Sequence, residues 1–399
     1  MKSPSVPLFV SPVWPSTRGN GLAMRAAATL RLLAQRAGPV HLLVVPMYGA
    51  PVDAPEPAVA AWCRSWQAVP DPGPAADTDA LTQWRSEGDR PAWPQGWRSC
   101  HPAWQQRVAA AGAALTPSLI LVFRFYLWPH LEALWPVCPQ ATRWLDLDEM
   151  ESTTLGRLAD LHTLRGQATE AARLRDEAQA YATMEAACLP QFDRVWASSA
   201  LEAAHVRRHL PASAVAVLPN TVEGRQPCAS RASTADARLL FVGTLGYLPN
   251  RDAVEHFCAH IWPLIRAATT RPVTFHVVGK GPAFGDLGPD VVVHGFVDDL
   301  TPLYAACDVV VVPLRAGGGT RIKILEAFSH QRPVVSTPMG AEGLLARSGE
   351  HWLLADTDAA FAQACLHLLA QPQAGLRLAE GGYRFFREHH AADAVTLAD

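Results

Sequence analysis

The sequence predicts an α/β protein made of two doubly wound, Rossmann-like halves. Three observations carry this. Short apolar runs alternate with helical patterns along most of the chain, the arrangement of parallel sheets covered by helices. Several of those runs end in glycine or polar residues, as strand ends near a ligand do. The 399 residues suffice for two domains of roughly 100–200 residues each, and a polar segment over 224–237 separates two series of strands.

In order, 7–10 reads as a buried strand, 16–21 (Ser-Thr-Arg-Gly-Asn-Gly) as a polar glycine loop, 22–36 as a helix and 41–45 as a second strand. From about 48 to 102 the pattern collapses into Pro, Gly, Ala and Asp, with six tryptophans over 62–104. Strands follow at 119–123 and 143–147, one long helix at about 163–189, and strands at 194–197 and 214–218. After the polar segment, strands are expected at 238–242, 273–278, 291–294, 309–312 and 333–336, with helices at 252–265, 300–306 and from the glycine run to about 330. The expected boundaries are 1–222 for the first domain (insert about 49–105), 223–375 for the second, and 376–399 for C-terminal helices packing back towards the first.

Composition excludes several classes. A formal net charge of −3 leaves no basic footprint for nucleic acid. The eight cysteines are far apart with no C-x-x-C pair, so reduced thiols are expected rather than zinc or redox motifs. The N-terminal apolar stretch is broken by Pro7 and Pro12, and no window offers the roughly 18 apolar residues of a spanning helix. The expected location is the cytoplasm, with peripheral contact at the inner membrane face left open.

The chemistry concentrates in Gly317-Gly318-Gly319-Thr320-Arg321-Ile322-Lys323-Ile324-Leu325-Glu326. Glycine allows close backbone approach or positive φ. A helix start then offers N–H groups and a positive dipole end to a phosphate. Arg321 and Lys323 add charge. Lys323 and Glu326 are i,i+3 and share a face, and a carboxylate accepts two hydrogen bonds, as a ribose diol requires. On spacing alone, a plain glycine loop with a surface Lys–Glu pair fits equally well.

The blocks FVGTLGYLPNRDAVEHF, VVGKGP, VHGFVDDLTPLYAACDVVVVPL and GGGTRIKILEAFSHQRPVVSTPMGAEGL resemble, in order and spacing, the donor domain of family 4 glycosyltransferases over about 238–356. WLDLDEMES, DRVWASSALEAAHV and VAVLPNTVE are similar to its exopolysaccharide-associated bacterial subgroup. The resemblance implies a GT-B fold of two Rossmann-like domains facing a cleft, a donor on the second and an acceptor mainly on the first. It implies retention of anomeric configuration, no metal and no tightly bound cofactor, with a UDP- or GDP-sugar as donor. The acceptor would be a glycan, a lipid-linked sugar or a small molecule. Glu326 matches the family's ribose-binding glutamate, and Arg321 or Lys323 would lie by the diphosphate. Gly243, Thr244, Gly279, Gly318, Gly319 and Thr320 would border the donor, and Gly295 and Phe296 its base. Gly19, Asn20 and Gly21 would face the phosphates from the first domain. One departure matters: the family's first acidic residue, eight positions before the second, is here Gly318.

Several residues carry two readings. Arg124 closes a strand, where it could hold an anion or form a structural ion pair. Asp146 and Asp148 spell D-x-D, a metal–diphosphate pattern of another fold, or cleft polarity and a helix cap. The insert's tryptophans could stack on sugars or bury one another. Lys280 sits in a glycine loop without the surroundings of a pyridoxal phosphate lysine. Beside a transferase, a nucleotide-sugar-binding protein that does not transfer, such as an epimerase or a non-catalytic partner, also fits.

Overall fold

The computed structural model describes residues 6–47, 54–71, 93–94, 97, 100, 102–224, 236–319 and 321–397. The chain divides into two compact units, Met1–Leu218 with Thr396–Asp399, and Pro219–Val395.

The first unit holds a seven-stranded parallel sheet: β1 (Leu8–Ser11), β2 (Val40–Val44), β3 (Cys63–Ala68), β4 (Leu119–Phe123), β5 (Thr142–Asp148), β6 (Arg194–Ala197) and β7 (Val215–Val217). Their order is β3-β2-β1-β4-β5-β6-β7, so the winding reverses between β1 and β4. Both of those strands are almost wholly buried, as parallel strands covered on two faces must be. β3 falls inside the segment where the sequence pattern collapses. It is an edge strand whose residues are exposed or half-buried, none fully buried, so it never needed the apolar run by which buried strands are recognised.

The helix expected over 163–189 occurs as Ala168–Cys188, and a helix that the pattern did not predict, Glu151–Leu164, comes directly before it. Gly166 has φ 73° and donates to the Thr163 carbonyl, while Gln167 donates to His162. That pair of bonds is a Schellman stop, and it needs a residue able to enter left-handed backbone.

The second unit holds a six-stranded parallel sheet: β8 (Ala237–Val242), β9 (Val273–Val278), β10 (Val291–Gly295), β11 (Val309–Val312), β12 (Val334–Ser336) and β13 (Leu353–Leu354). The order β10-β9-β8-β11-β12-β13 reverses between β8 and β11, where Leu239 and Leu240 pair with Val309 and Val310. Four consecutive valines make β11, all buried. The helix expected over 252–265 is broken by a π-turn at Phe257–Ile261 between Leu248–His256 and Trp262–Ala268. The last helix, Pro372–His389, lies in this unit across Phe328; a Cβ on Gly382 would come within 2.5 Å of that ring.

Each unit has its own apolar core. Trp93, Trp97 and Trp104 are core residues of the first. Trp97 stacks on Trp128, and Trp104 donates its indole N–H to the Val69 carbonyl at 2.9 Å. These three are therefore buried in the core instead of presenting a face to a sugar. Trp66 is 43% exposed, and Trp84 lies outside the described residues. The cysteines among the described residues are free thiols. No described helix is long and apolar enough to cross a membrane.

Candidate active site

In an open α/β sheet, ligands lie beyond the carboxyl ends of the strands where the winding reverses. In the second unit that position belongs to the loops after β8 and β11. The first is fastened to the loop after β9. Gly243 N–H donates to Val278 O at 3.0 Å, and Leu245 N–H to Lys280 O at 2.8 Å. The approach is close enough to require glycine. A Cβ on Gly279, which has φ 150°, would sit 1.8 Å from the Gly243 oxygen, and one on Gly281 would sit 2.5 Å from the Gly246 nitrogen. Gly279 N–H also donates to Gly295 O at 2.8 Å, which draws in the loop after β10. Gly295 has φ 70°, and the following Phe296 is 64% exposed, an apolar ring open to solvent.

The glycine run after β11 meets the same place. Gly317 (φ 122°) lies against Pro249 and the Tyr247 hydroxyl, and Gly319 (φ 66°) also takes left-handed backbone. Thr320 lies outside the described residues. Arg321 caps the helix Ile322–Ser329 from its N-terminal side, and its side chain turns back on the run. It donates to the carbonyls of Gly317 at 3.1 Å and Met339 at 3.0 Å, and to that of Gly318. Arg321 is thus the buried brace of the glycine loop.

Lys323 sits in the first turn of that helix, with its ammonium 4.9 Å from the centre of the Phe241 ring. It donates to the side-chain oxygen of Asn250, whose Nδ2 donates to Thr244 O at 2.9 Å. Burial, then the Arg321 charge, push the lysine down to about 7, opposed by Glu326. Glu326 is half-buried on the same helix. Tyr304, buried beneath, has its hydroxyl pushed well up by burial and by Glu326. Arg251, the basic residue nearest the end of β8, is occupied elsewhere. It donates to the carbonyls of Pro282 and Ala283 and pairs with Glu255.

Sequence reasoning missed Asn250. Its signal was present in the Pro-Asn pair opening a helix after a glycine loop, but nothing local says that its amide reaches a lysine 73 residues away.

In the first unit, Gly19 has φ 105°, and Asn20 caps the helix Gly21–Ala37 by accepting from Ala23 N–H at 2.9 Å. Arg124 directly follows β4 and Asp148 ends β5, both with positive φ, 76° and 64°. Such backbone is uncommon outside glycine and marks a position held by its surroundings. The structure brings the two together. Arg124 pairs with Asp148 at 2.8 Å, Glu149 at 2.9 Å and Glu151 at 2.8 Å. Asp146 is fully buried, and its oxygens go to Arg25 at 2.6 Å and Thr29 at 2.6 Å. That leaves the D-x-D carboxylates committed to arginines. Removing Asp146 takes away the 2.6 Å partner of the buried Arg25 charge and leaves it the longer pair with Asp148 at 3.4 Å. Asp146→Ala is therefore expected to destabilise the chain by about 3–5 kcal/mol, measured by chemical denaturation.

Two further carboxylates hold the start of the helix Glu151–Leu164. Glu185 accepts from the Ser152 backbone N–H at 3.1 Å, and Glu202 from that of Met150 at 3.1 Å. Burial pushes Glu202 up to about 7 and Glu151 also to about 7. A carboxyl raised in the folded state favours folding below its unfolded value and loses that contribution as pH rises through about 7. Thermal unfolding is expected at lower temperature at pH 8 than at pH 5.5. Glu202→Gln, which keeps the acceptor for Met150, should reduce that difference.

Residues 236–371 match the family model described as Glycosyl transferases group 1. Over those residues the chain is similar to a glycosyltransferase domain. The match spans about a third of the chain and takes in every loop of the second-unit site. No curated protein matches the sequence at a significant level. Solved structures of similar fold extend over nearly the whole chain. Sucrose-phosphate synthase from Thermosynechococcus elongatus has a TM-score of 0.69 at 18% identity, covering 98% of this chain and 96% of its own. Anabaena HepE in complex with UDP and glucose has 0.61 at 14%, covering 97% and 96%. The lipopolysaccharide outer core galactosyltransferase WaaB has 0.60 at 11%, covering 96% and 95%. With two parallel-sheet α/β domains and these neighbours, the fold is GT-B.

Proposed function

We propose that this chain is a retaining glycosyltransferase. It would move a sugar from a nucleotide-sugar donor on the second unit to a glycan, lipid-linked or natural-product acceptor bound mainly by the first. The carrying observation is a coincidence of place. The group 1 glycosyltransferase match covers the same loops that gather Lys323, Arg321, Glu326 and the close-packed glycines at the sheet's winding reversal.

In this reading Glu326 accepts both hydroxyls of the donor ribose. Phe296 and Gly295 border the base. The diphosphate lies against Gly243, Thr244, the glycine run with Thr320, and the first turn of the helix Ile322–Ser329. The N–H groups of Ile322 and Lys323 come before the first bond of the helix, from Ile324 to Arg321 O, and a helix start of this kind stabilises negative charge. Lys323 adds a charge that matters most as the leaving diphosphate develops. Arg321 acts by holding the loop in shape. A retaining transfer in which the leaving diphosphate accepts the acceptor's proton needs no paired carboxylates. Gly19, Asn20, Gly21, Arg124 and Asp148 would contribute from the first unit. UDP is the first nucleotide to test, because the HepE structure was solved with it; GDP is the second. A cytoplasmic, exopolysaccharide-type role in the manner of family 4 completes the proposal.

Gly318 favours a second reading, because the family's first acidic contact to the donor sugar is missing. A nucleotide-sugar-binding protein without transfer would need no such contact. One experiment separates the two. The chain is screened for thermal stabilisation by UDP and GDP, then incubated with the corresponding nucleotide sugars and an acceptor panel. Release of nucleoside diphosphate with a glycosylated product supports transfer. Stabilisation with no product, or conversion of one nucleotide sugar into another, supports the second reading. No stabilisation by either nucleotide removes both.

A further inference from the structure

We propose that Asn250 is a positioning residue of the donor site. Its one carboxamide ties the Thr244 carbonyl to the Lys323 ammonium, so that the loop after β8 and the helix Ile322–Ser329 form a single preformed phosphate cradle. This rests on the donor-site reading above.

The geometry is specific to an asparagine. The residue is 7% exposed and lies in the first turn of the helix Leu248–His256, where its own N–H donates to Tyr247 O at 3.0 Å. From there the amide donates through Nδ2 to Thr244 O at 2.9 Å and accepts through Oδ1 from Lys323. A short, planar side chain with a donor on one side and an acceptor on the other can serve both at once. Aspartate keeps the acceptor and loses the donor; leucine loses both. The loop lies directly on this amide, since a Cβ on Gly243 would be 3.0 Å from the Asn250 side-chain carbon. Gly243 is therefore glycine partly to let the amide reach across it.

Lys323 needs such a partner. On one side its ammonium faces the Phe241 ring, which offers π density and no lone pair. The charged groups acting on it are Arg321 at the helix cap and Glu326 on the same helix; β8 and the helix Leu248–His256 present Phe241 and Asn250, neither of which titrates. Asn250 therefore decides where the ammonium points, and favours its charged form by accepting from it.

The test uses the full chain as wild type, Asn250→Ala and Asn250→Asp, with UDP and GDP as probes in calorimetric titrations from pH 6 to 9. Asn250→Ala is expected to weaken nucleoside diphosphate binding about tenfold at pH 7.5, the loss of one charge-assisted hydrogen bond. The pH above which affinity declines should move down in Asn250→Ala, where the ammonium has lost its acceptor. It should move up in Asn250→Asp, where a carboxylate favours the ammonium. A uniform loss at every pH in both variants, or unchanged binding in Asn250→Ala, overturns the proposal.

A second measurement needs no nucleotide. The pH dependence of Lys323 acetylation by acetic anhydride, read by mass spectrometry, should shift in opposite directions in the two variants. If wild type binds neither nucleotide, the donor-site reading fails, and this arm still decides whether Asn250 sets Lys323: no opposite shift overturns it. Asn250→Asp is close to isosteric, so it keeps the test available should Asn250→Ala fail to fold.

Discussion

Glu326→Ala is expected to lower sugar transfer about 100-fold and to leave the fold intact. The estimate follows from two hydrogen bonds to a charged acceptor, each contributing about 1.5–3 kcal/mol when made in a partly desolvated site, with some of that recovered by water. Glu326 is half-buried on the face of its helix that also carries Lys323, outside the buried set of Ile324, Leu325, Ala327 and Phe328. Its removal therefore opens no core cavity. A second effect acts in the same direction. Glu326 is the charge that holds Lys323 up against burial and Arg321, so the lysine would lose charge at a lower pH in the variant. Steady-state kinetics with a donor identified by thermal shift should show a raised donor KM together with a lowered kcat. Circular dichroism should match wild type. Normal turnover in Glu326→Ala would remove this residue, and the ribose clamp with it, from the proposed mechanism.

Gly279→Ala is expected to cost at least about 5 kcal/mol, the range in which single substitutions prevent accumulation of folded protein. Its Cβ would meet the Gly243 carbonyl oxygen at 1.8 Å, a backbone atom in a loop fastened to three strand ends. A flexible side chain could yield; this carbonyl cannot move without releasing the bond from Gly243 N–H to Val278 O. Positive φ adds strain of about 1–3 kcal/mol. Gly156→Ala serves as the contrasting variant. Gly156 lies in the helix Glu151–Leu164 with nothing within 4 Å of a Cβ and no positive φ. There alanine should stabilise by up to about 1 kcal/mol. Soluble yield and denaturant midpoints for the two variants decide the matter. A Gly279→Ala chain as stable as wild type would mean that the three loops are not locked together as described.

Much of the frame could be read without coordinates. The strands 119–123, 194–197, 273–278 and 309–312 were expected at the residues where they occur. Each is a short apolar run in a sheet covered on both faces, and burial on two faces writes itself into consecutive residues. The elements that escaped are those with one-sided or interrupted patterns. β3 is an edge strand with no fully buried residue, and the helix Glu151–Leu164 buries only Thr154, Ala159 and Leu161 to mark its inner face.

For the site, the sequence alone supplied the glycines after β8, β9, β10 and β11 and placed Glu326 next to Lys323. Glycine at a strand end and i,i+3 spacing on a helix are local properties, and local properties survive in one dimension. Only the tertiary structure decided what the charges do. Arg321 turns back to brace the glycine loop, Arg124 is enclosed by Asp148, Glu149 and Glu151, and Asp146 answers Arg25 across 121 residues. Asn250 reaches Lys323 across 73. A side chain's partner depends on which loops the sheet order brings together. That order places β8 beside β11 and β1 beside β4, and no spacing along the chain records it.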